Sequence, residues 1–249
     1  MPGRALIQNE FFPVSHLLTS RLWFPDPRTA RKGGEFDGLV AIGGDLSVPR
    51  LLLAYRTGIF PWTDKPITWW SPDPRAILDP ERFHVPRSLV PVLRKNTFQI
   101  TLDRAFRQVV EGCAAPGPGR ESTWISRNFI EAYVRLHQQG HAHSLECWRD
   151  GALAGGIYGL AIGGFFAGES MFHRADNASK AALYFLTRHL RDRGYVLFDI
   201  QSTTPVTQQL GASTLPRDEY LERLARAVSL DRSFRNLGDG IEALTRSPV

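Results

Sequence analysis

The sequence has few cysteines and no long apolar run, and both shortages exclude whole classes of protein. Two of its 249 residues are cysteine, Cys113 and Cys147, and they form neither a CxxC pair nor a zinc-ligand spacing. We therefore expect two reduced structural thiols. No apolar run approaches the ~20 residues that a membrane-spanning helix needs, and the N-terminus lacks the basic start and apolar core of a signal peptide. These features predict a cytoplasmic protein without a membrane partner.

Motifs for common cofactors and metals are missing as well. The paired glycines Gly43-Gly44 and Gly163-Gly164 belong to neither a GxGxxG fingerprint nor a P-loop, and there is no GxSxG elbow. His141 and His143 alternate on a possible strand, but no third ligand follows at metal spacing. We therefore expect no metal and no nucleotide cofactor.

Basic residues outnumber acidic ones. Thirty Lys and Arg oppose 25 Asp and Glu, which gives a formal net charge of +5 and a pI near 9.5. This balance suits a polyanionic partner, because phosphate groups bind a basic surface whatever the nucleotide sequence. A basic protein with no such partner is the alternative.

The first part of the chain, rich in proline, glycine and tryptophan, contains one clear helix. Ser47 is a fair N-cap, and Gly58 ends the helix as a left-handed residue does. The segment ITWWSPDPR, residues 67–75, is typical of a strand that enters a proline-fixed turn. We divide the chain near this segment into a small N-terminal α/β domain, residues 1–74, and a second domain, residues 75–249.

The rest of the chain has a clearer pattern. Ser126 caps a helix, and apolar strands follow, separated by tight turns at Asp150-Gly151 and Gly163-Gly164. Asn177 caps the next helix, after which come the strand YVLFDIQ and a final helix. This order of helix, hairpin strands, helix, strand and helix predicts an α+β fold, with helices packed on an antiparallel-rich sheet.

Asp199 and Gln201 are the most informative polar pair. Side chains two apart on a strand point to the same face. We therefore expect Tyr195 and Leu197 on the same side as this pair, and Phe198 on the opposite side. A carboxylate and an amide in an apolar strand are costly to bury without partners. The pair is a candidate for catalysis, or a polar strand end that satisfies backbone groups.

Glu169 lies in a similar setting, at the predicted end of a strand that begins with Phe165 and Phe166. Its carboxylate could hold an amine, or it could be a solvated strand end. Tryptophan is a further signal, because Trp62 and Trp124 occur in irregular stretches outside the periodic helices. Indole rings near a surface can stack on bases, although core or loop anchoring is the commoner role.

Together, these segments resemble the leucyl/phenylalanyl-tRNA–protein transferase family. The matching stretches, in the family's order from Gly38 to Ser213, are GLVAIGGDLS, LLLAYRTGIFPW, WWSPDPRAIL, TWIS, EAYVRLHQQGHAHSLE, GGIYGL, FFAGESMF, NASKAAL, FDIQ and LGAS. The resemblance implies a C-terminal domain similar to the GNAT acyltransferase fold. It also implies a reaction without coenzyme A, and the turn HRADNAS has no glycine-rich pyrophosphate loop.

The implied reaction is an aminoacyl transfer that creates an N-degron. The donor is aminoacyl-tRNA that bears leucine or phenylalanine, and less readily methionine. The acceptor is a protein whose first residue is Arg or Lys, and the new N-terminal peptide bond marks it for degradation. The ester is already activated, so the enzyme's task is to orient an amine against its carbonyl.

The resemblance further implies roles for individual residues. Asp199 and Gln201 are the expected catalytic pair, with Glu169 beside them, and Trp62 and Trp124 are expected to hold the terminal adenosine. The side-chain pocket is expected to contain Ile157, Phe166, Met171, Leu183, Leu186 and Phe198. For the tRNA body we expect two basic segments, one with Arg87, Arg94 and Lys95 and one with Arg188, Arg191 and Arg193.

The residues leave the mechanism and two other functions open. Asp199 could accept the proton of the attacking amine or hold the amine in line, and Gln201 could bind the amine or the developing oxyanion. One rival function is a CoA-dependent N-acetyltransferase of the same fold. The other is a non-catalytic tRNA-binding module, in which Asp199 and Gln201 are structural.

Overall fold

A computed structural model describes residues 16–116 and 123–235, in which two sheets are flanked by helices. The strands are β1 Leu17–Leu18, β2 Leu39–Gly43, β3 Phe60–Asp64, β4 Ile67–Trp70, β5 Arg75–Leu78, β6 Gln99–Leu102, β7 Ala142–Arg149, β8 Ala152–Ile162, β9 Phe165–His173, β10 Leu197–Gln201 and β11 Ala212–Leu215. The helices are α1 Val48–Arg56, α2 Val90–Arg94, α3 Phe106–Ala114, α4 Arg127–Gln138, α5 Ala178–Asp192, α6 Pro205–Gln209 and α7 Arg217–Val228.

The small sheet has the strand order β1-β2-β4-β3. The predicted helix α1 follows Ser47, although the Ser47 side chain makes no capping hydrogen bond, and Gly58 lies just after the helix at a φ of +82°. The segment 67–75 is a strand that enters a proline-containing turn, as predicted. Its pairing ends at Trp70, because Pro72 and Pro74 cannot donate to a strand ladder, and a new strand of the other sheet begins at Arg75.

The large sheet has the order β11-β5-β10-β9-β8-β7-β6. Its neighbouring strands are antiparallel except for β9 and β10, which run parallel. Asp150 and Gly151 have φ values of +52° and +74°, the left-handed pair that a tight hairpin turn requires. The expected α+β fold with an antiparallel-rich sheet is therefore confirmed. The short strands β6 and β11 and the helices α2, α3 and α6 were not expected.

Two apolar cores cover the two faces of the large sheet. The first contains residues of the small sheet and of α1, α3, α4 and α7, and the second contains residues of α2 and α5. The two sheets meet in the first core, where Trp69 and Tyr55 pack in one cluster with Tyr133 and Phe165. The division of the chain at residue 74 stays a prediction, because this core joins the two sheets.

The described residues also bear on cysteine state and membrane insertion. Cys113 lies in the first core and Cys147 in the second, and both are buried and outside any disulfide among the described residues, as expected. Burial raises the pKa of the Cys147 thiol, which disfavours a reactive thiolate. Within the described ranges, no helix combines the length and the apolar character that crossing a bilayer would require.

Candidate active site

The parallel strands β9 and β10 diverge beyond their last paired residues, Ala167 and Asp199. Each strand has an irregularity just past this point. Glu169 is an extra residue on β9, since the residues on either side of it pair with consecutive residues of β8, and Ile200 is skipped where β10 pairs with β5. Such bulges bend a strand and redirect its side chains. Glu169 and Gln201 meet in the resulting gap, where Gln201 Nε2 donates to Glu169 Oε1 at 3.2 Å.

The bulge changes the expected strand faces. β10 begins at Leu197, and Tyr195 packs in the second core with Phe198 instead of sharing the face of Leu197. Gln201 has a φ of +57°, so it leaves the strict alternation that placed it beside Asp199. Glu169 lies inside β9 and does not end it, because the strand continues to His173.

The gap opens into a cavity of about 520 Å³. Among the residues expected at the substrate site, those that line this cavity are Trp62, Trp124, Ile157, Glu169, Met171, Leu183 and Gln201. Asp37, Phe60, Ile200 and Thr204 also line it and were not anticipated. Apolar side chains therefore surround a few polar groups, which is the usual composition of a small-molecule site.

Phe166, Leu186 and Phe198 were expected in the pocket, but they are buried in the second core and do not line the cavity. The rings of Phe166 and Phe198 meet edge to face at 5.5 Å between centroids. Gly168 lies between Phe198 and the cavity, and a Cβ on it would lie 2.9 Å from the Phe198 ring. Strand alternation turns these rings away, so they support the cavity wall from behind.

Two tyrosines hold the Glu169 carboxylate. Tyr55 donates to Oε1 at 2.7 Å and Tyr133 donates to Oε2 at 2.8 Å, and the two hydroxyl oxygens are 2.5 Å apart. Burial raises the pKa of Glu169 to about 7, and the negative charge of Asp199 adds to this, while the tyrosine hydrogen bonds and Arg75 oppose it. Glu169 therefore exchanges a proton near neutral pH.

Asp199 is fully buried, and four donors occupy its carboxylate. Arg75 Nε and Nη2 donate to Oδ1 and Oδ2 at 2.9 and 2.7 Å, the Tyr220 hydroxyl donates to Oδ2 at 2.8 Å, and the Gln201 backbone N–H donates to Oδ1 at 2.9 Å. The Arg75 guanidinium lies between the rings of Phe60 and Tyr220, 4.7 and 4.6 Å from their centroids. Asp199 does not line the cavity, but Gln201, whose backbone N–H it accepts, does, and so does Phe60, which packs on the Arg75 guanidinium.

Residue type and apolar surroundings are sequence signals for these partners. Tyr55 and Tyr133 lie on the buried faces of α1 and α4, and a buried hydroxyl requires a hydrogen-bond partner. Arg75 precedes three apolar residues on β5, and a buried guanidinium requires a carboxylate nearby. Tyr220, on the buried face of α7, carries the same hydroxyl signal as the other two tyrosines.

The two expected adenosine-binding tryptophans differ in exposure. Trp62 is 43% exposed, and its ring packs against Trp70 at 5.3 Å between centroids. Trp124 is half-buried and packs edge to face on Phe129 at 5.1 Å. Trp69 is a core anchor, fully buried, with its indole N–H donating to the Gly43 carbonyl at 2.8 Å. Only the first two of these rings line the cavity together.

The basic residues expected to bind the tRNA body lie on or beside α2 and α5. Arg87, Arg94 and Lys95 are exposed, Arg191 is exposed, and Arg188 and Arg193 are half-buried. Arg188 and Arg191 line one groove, which also includes Glu81. Arg188 lies over the Tyr184 ring, and Arg191 pairs with Asp192 at 2.9 Å. Both helices pack on the second core, so the two basic segments lie on the same side of the large sheet.

The chain is similar to a known family over most of its length. A family model described as leucyl/phenylalanyl-tRNA protein transferase matches residues 77–225, and a model of the N-terminal domain of that protein matches residues 44–73. A relative from Shewanella pealeana named leucyl/phenylalanyl-tRNA–protein transferase is 50% identical over 224 residues, covering 88% of this chain and 94% of the relative. A relative of the same name from Oleidesulfovibrio alaskensis is 48% identical over 244 residues, covering 94% of this chain and 97% of the relative.

Solved structures give weaker matches. A GCN5-related N-acetyltransferase from Kribbella flavida is 10% identical with a TM-score of 0.36, covering 66% of this chain and 59% of the other. One from Sphaerobacter thermophilus is 15% identical with a TM-score of 0.37, covering 72% of this chain and 58% of the other.

Proposed function

The chain belongs to the leucyl/phenylalanyl-tRNA–protein transferase family. We propose that the cavity lined by Trp62 and Trp124 is where it moves leucine or phenylalanine from tRNA to a protein N-terminus. The observation that supports this most is the meeting of Glu169 and Gln201 at one end of an apolar cavity of about 520 Å³. An aminoacyl-adenosine requires the same parts: rings for the base, an apolar pocket for the side chain and polar groups at the ester.

Glu169 is the proton-transfer group in this proposal. The acceptor nitrogen attacks the ester carbonyl, the C–N bond forms, and the bond from the carbonyl carbon to the ribose oxygen breaks. One proton leaves the amine and the ribose oxygen gains one. A carboxyl group with a pKa near 7 can accept the first proton and return the second. Tyr55 and Tyr133 keep their protons, since burial raises the pKa of each well above 10, and they orient the carboxylate.

Asp199 is a positioning residue in this proposal. Its oxygens are occupied by Arg75, Tyr220 and the Gln201 backbone, and it is enclosed away from the cavity. This arrangement favours neither proton acceptance nor direct contact with the amine, and Asp199 acts through the groups that it holds. The bond to the Gln201 backbone fixes the strained residue whose amide faces Glu169, and that amide is placed to bind the amine or the developing oxyanion.

The donor side chain is selected by Ile157, Met171 and Leu183, which line the cavity. An apolar pocket accepts leucine and phenylalanine, and methionine less readily, and it discriminates by shape. One methylene in such a pocket is worth about 1–3 kcal/mol. Branching at the β-carbon crowds the polar end, so valine and isoleucine are the disfavoured donors.

The acceptor is a protein whose first residue is Arg or Lys, and its cation needs a carboxylate. Asp37 and Glu169 are the acidic residues that line the cavity. Glu169 is bound by two tyrosines and Gln201, whereas Asp37 is exposed, with Oδ1 accepting the Gly33 backbone N–H at 2.8 Å. We assign the acceptor side chain to Asp37. The product is a destabilising N-terminus, and the reaction belongs in the cytoplasm, where aminoacyl-tRNA is available.

The tRNA body rests on the basic segments at α2 and α5. Leu183 lines the cavity, and Arg188 and Arg191 follow it on α5 by five and eight residues, a distance of about 8–12 Å along the helix. A tRNA whose terminal adenosine enters the cavity therefore brings its acceptor stem close to this helix. Phosphate contacts there add affinity that does not depend on the tRNA sequence.

Transfer of labelled leucine from leucyl-tRNA to a peptide that starts with Arg tests the proposal. The same peptide with an N-terminal Ala is the matched control, and phenylalanyl-tRNA and valyl-tRNA test the donor range. Label on the Arg peptide alone supports the function. Acetyl transfer from acetyl-CoA would instead support the N-acetyltransferase. Binding of tRNA by the folded protein with no transfer would support the non-catalytic tRNA-binding module.

A further inference from the structure

Asp64 ties together the two segments that present the cavity tryptophans. Its Oδ2 accepts hydrogen bonds from Ser126 Oγ at 2.6 Å and from Asn128 Nδ2 at 2.8 Å. Asp64 is two residues after Trp62 on β3, and Ser126 is two residues after Trp124 at the start of α4. One carboxylate oxygen therefore joins a strand of the small sheet to a helix that packs on the large sheet.

Asp64 lies at the end of an edge strand and outside the cavity. β3 is the edge strand of the small sheet and pairs only with β4 among the described strands. Asp64 is its last residue, and it does not line the cavity. It lies instead in a separate shallow groove, beside Asn128 and Glu131. Asp64 therefore does not contact a donor bound in the cavity, and a structural effect on the donor acts through the segments that it joins.

Ser126 has two roles in the same contact. Its Oγ donates to Asp64 and accepts the backbone N–H of Phe129 at 3.4 Å, as a helix N-cap does. The negative charge of Asp64 also lies at the positive end of the α4 dipole. The bridge thus fixes both the position of the helix start and the loop residue Trp124 just before it.

We propose that Asp64 is a positioning residue that sets the separation of Trp62 and Trp124 for the donor's terminal adenine. This inference rests on the proposed function, in which these two rings hold that base. Stacking depends steeply on ring separation, because a gap of 0.5–1 Å forfeits roughly a quarter to a half of the contact energy. A bridge that fixes the separation improves donor binding without touching donor, acceptor or reacting atoms.

The test compares three variants with the parent enzyme on aminoacyl-tRNA and on a minimal aminoacyl-adenosine donor. Asp64→Ala should raise the Michaelis constant for both donors about tenfold, equivalent to ~1.4 kcal/mol. The turnover number and the acceptor Michaelis constant should stay within about twofold, since the reacting groups are unchanged. Asp64→Asn should behave like the parent, because its one carbonyl oxygen can accept both bonds. Asn128→Ala removes one of the two hydrogen bonds, so its donor Michaelis constants should lie between those of Asp64→Ala and Asp64→Asn.

Glu131→Ala is the matched control. Glu131 is an acid in the same groove, paired with Arg107 and bonded to neither tryptophan segment. A simple charge effect on tRNA would lower the donor Michaelis constant in both Asp64→Ala and Glu131→Ala. Loss of the bridge instead raises this constant, and only in Asp64→Ala. If Asp64→Ala does not fold, Asn128→Ala supplies the test, since its side chain is exposed.

Trp62→Ala and Trp124→Ala separate this inference from the proposed function. Should these variants raise the donor Michaelis constant while Asp64→Ala and Asn128→Ala leave it at the parent value, the bridge has no role and the function stands. If the tryptophan variants bind donor normally, the adenosine assignment itself is wrong, and the inference about Asp64 is overturned with it.

Discussion

Arg75 and Asp199 form a buried bidentate ion pair behind the cavity, with N–O distances of 2.9 and 2.7 Å. Their side chains are 1% and 0% exposed, respectively. Removing one partner of such a pair leaves an uncompensated charge, which typically costs about 3–5 kcal/mol. Asp199→Asn and Arg75→Met should each lower the free energy of unfolding by about that amount. The double variant should lose less than the sum, and urea unfolding of all four proteins measures this coupling.

The same pair predicts opposite shifts in the pH dependence of transfer. The Asp199 charge raises the pKa of Glu169 and the Arg75 charge lowers it. The acid limb of kcat/KM should therefore move to lower pH in Asp199→Asn and to higher pH in Arg75→Met. Loss of the limb in folded Asp199→Asn would instead identify Asp199 as the proton acceptor.

Replacement of Glu169 by glutamine should lower transfer by about 10²–10⁴, the usual contribution of a general base. The acid limb near pH 7 should disappear with it. Single-turnover rates from pH 5.5 to 8.5 measure both effects. A variant that retains the limb would remove Glu169 from proton transfer.

Glu169 also predicts how stability changes with pH. Its pKa is about 7 in the folded protein against 4.5 as the ordinary value, so the folded state binds the proton more tightly. The folded state holds more protons between these two values, and this group's contribution to stability falls as pH rises from about 4.5 to about 7. Glu169→Gln should abolish that part of the fall, as judged by denaturation midpoints at pH 5 and pH 8.

Leu183 and Leu186 offer a matched test of the donor pocket. Both lie on α5 and are 1% exposed, but only Leu183 lines the cavity. Leu183→Ala should enlarge the pocket and raise the ratio of phenylalanine to leucine transfer several-fold, since a methylene there is worth about 1–3 kcal/mol. Leu186→Ala should lower stability by about 2–5 kcal/mol and leave the ratio unchanged. A changed ratio in Leu186→Ala would show that the pocket extends into the second core.

Asp37→Asn should raise the Michaelis constant for Arg-peptides and Lys-peptides several-fold, because an exposed ion pair contributes up to about 1 kcal/mol. The donor Michaelis constant should not change. Glu35→Gln is the control, since Glu35 is an exposed acid two residues away that does not line the cavity. Equal effects of the two substitutions would point to general electrostatics instead of a specific contact.

Arg188 and Arg191 should contribute to binding of the tRNA body. Their double replacement by Ala should raise the Michaelis constant for aminoacyl-tRNA and flatten its dependence on salt, because fewer counterions are released. Transfer from a minimal aminoacyl-adenosine donor should be nearly unchanged. Arg223→Ala on α7, where Arg223 pairs with Glu219, controls for loss of positive charge. Parent-like salt dependence would exclude this surface.

Local sequence chemistry predicted the elements that depend on neighbouring residues. Gly58 and Asp150-Gly151 adopt the left-handed conformations that their turns require, and Ser126 caps α4. Turn and cap preferences arise from a few consecutive residues, so periodicity and composition are sufficient to predict them. Asn177 is an exception, because it precedes α5 in a left-handed conformation with no side-chain cap.

The sequence by itself determined which side chains face apolar surroundings, and hence that Glu169, Asp199 and Gln201 need partners. Only the tertiary structure decided which partners these are. Arg75 reaches Asp199 across 124 positions of the chain, and Tyr55 reaches Glu169 across 114. Contacts between distant parts of the chain also decided the roles of the Glu169 and Asp199 carboxylates. The bulges at Glu169 and Ile200 arise from pairing between strands, so one carboxylate faces the cavity while the other is enclosed behind it.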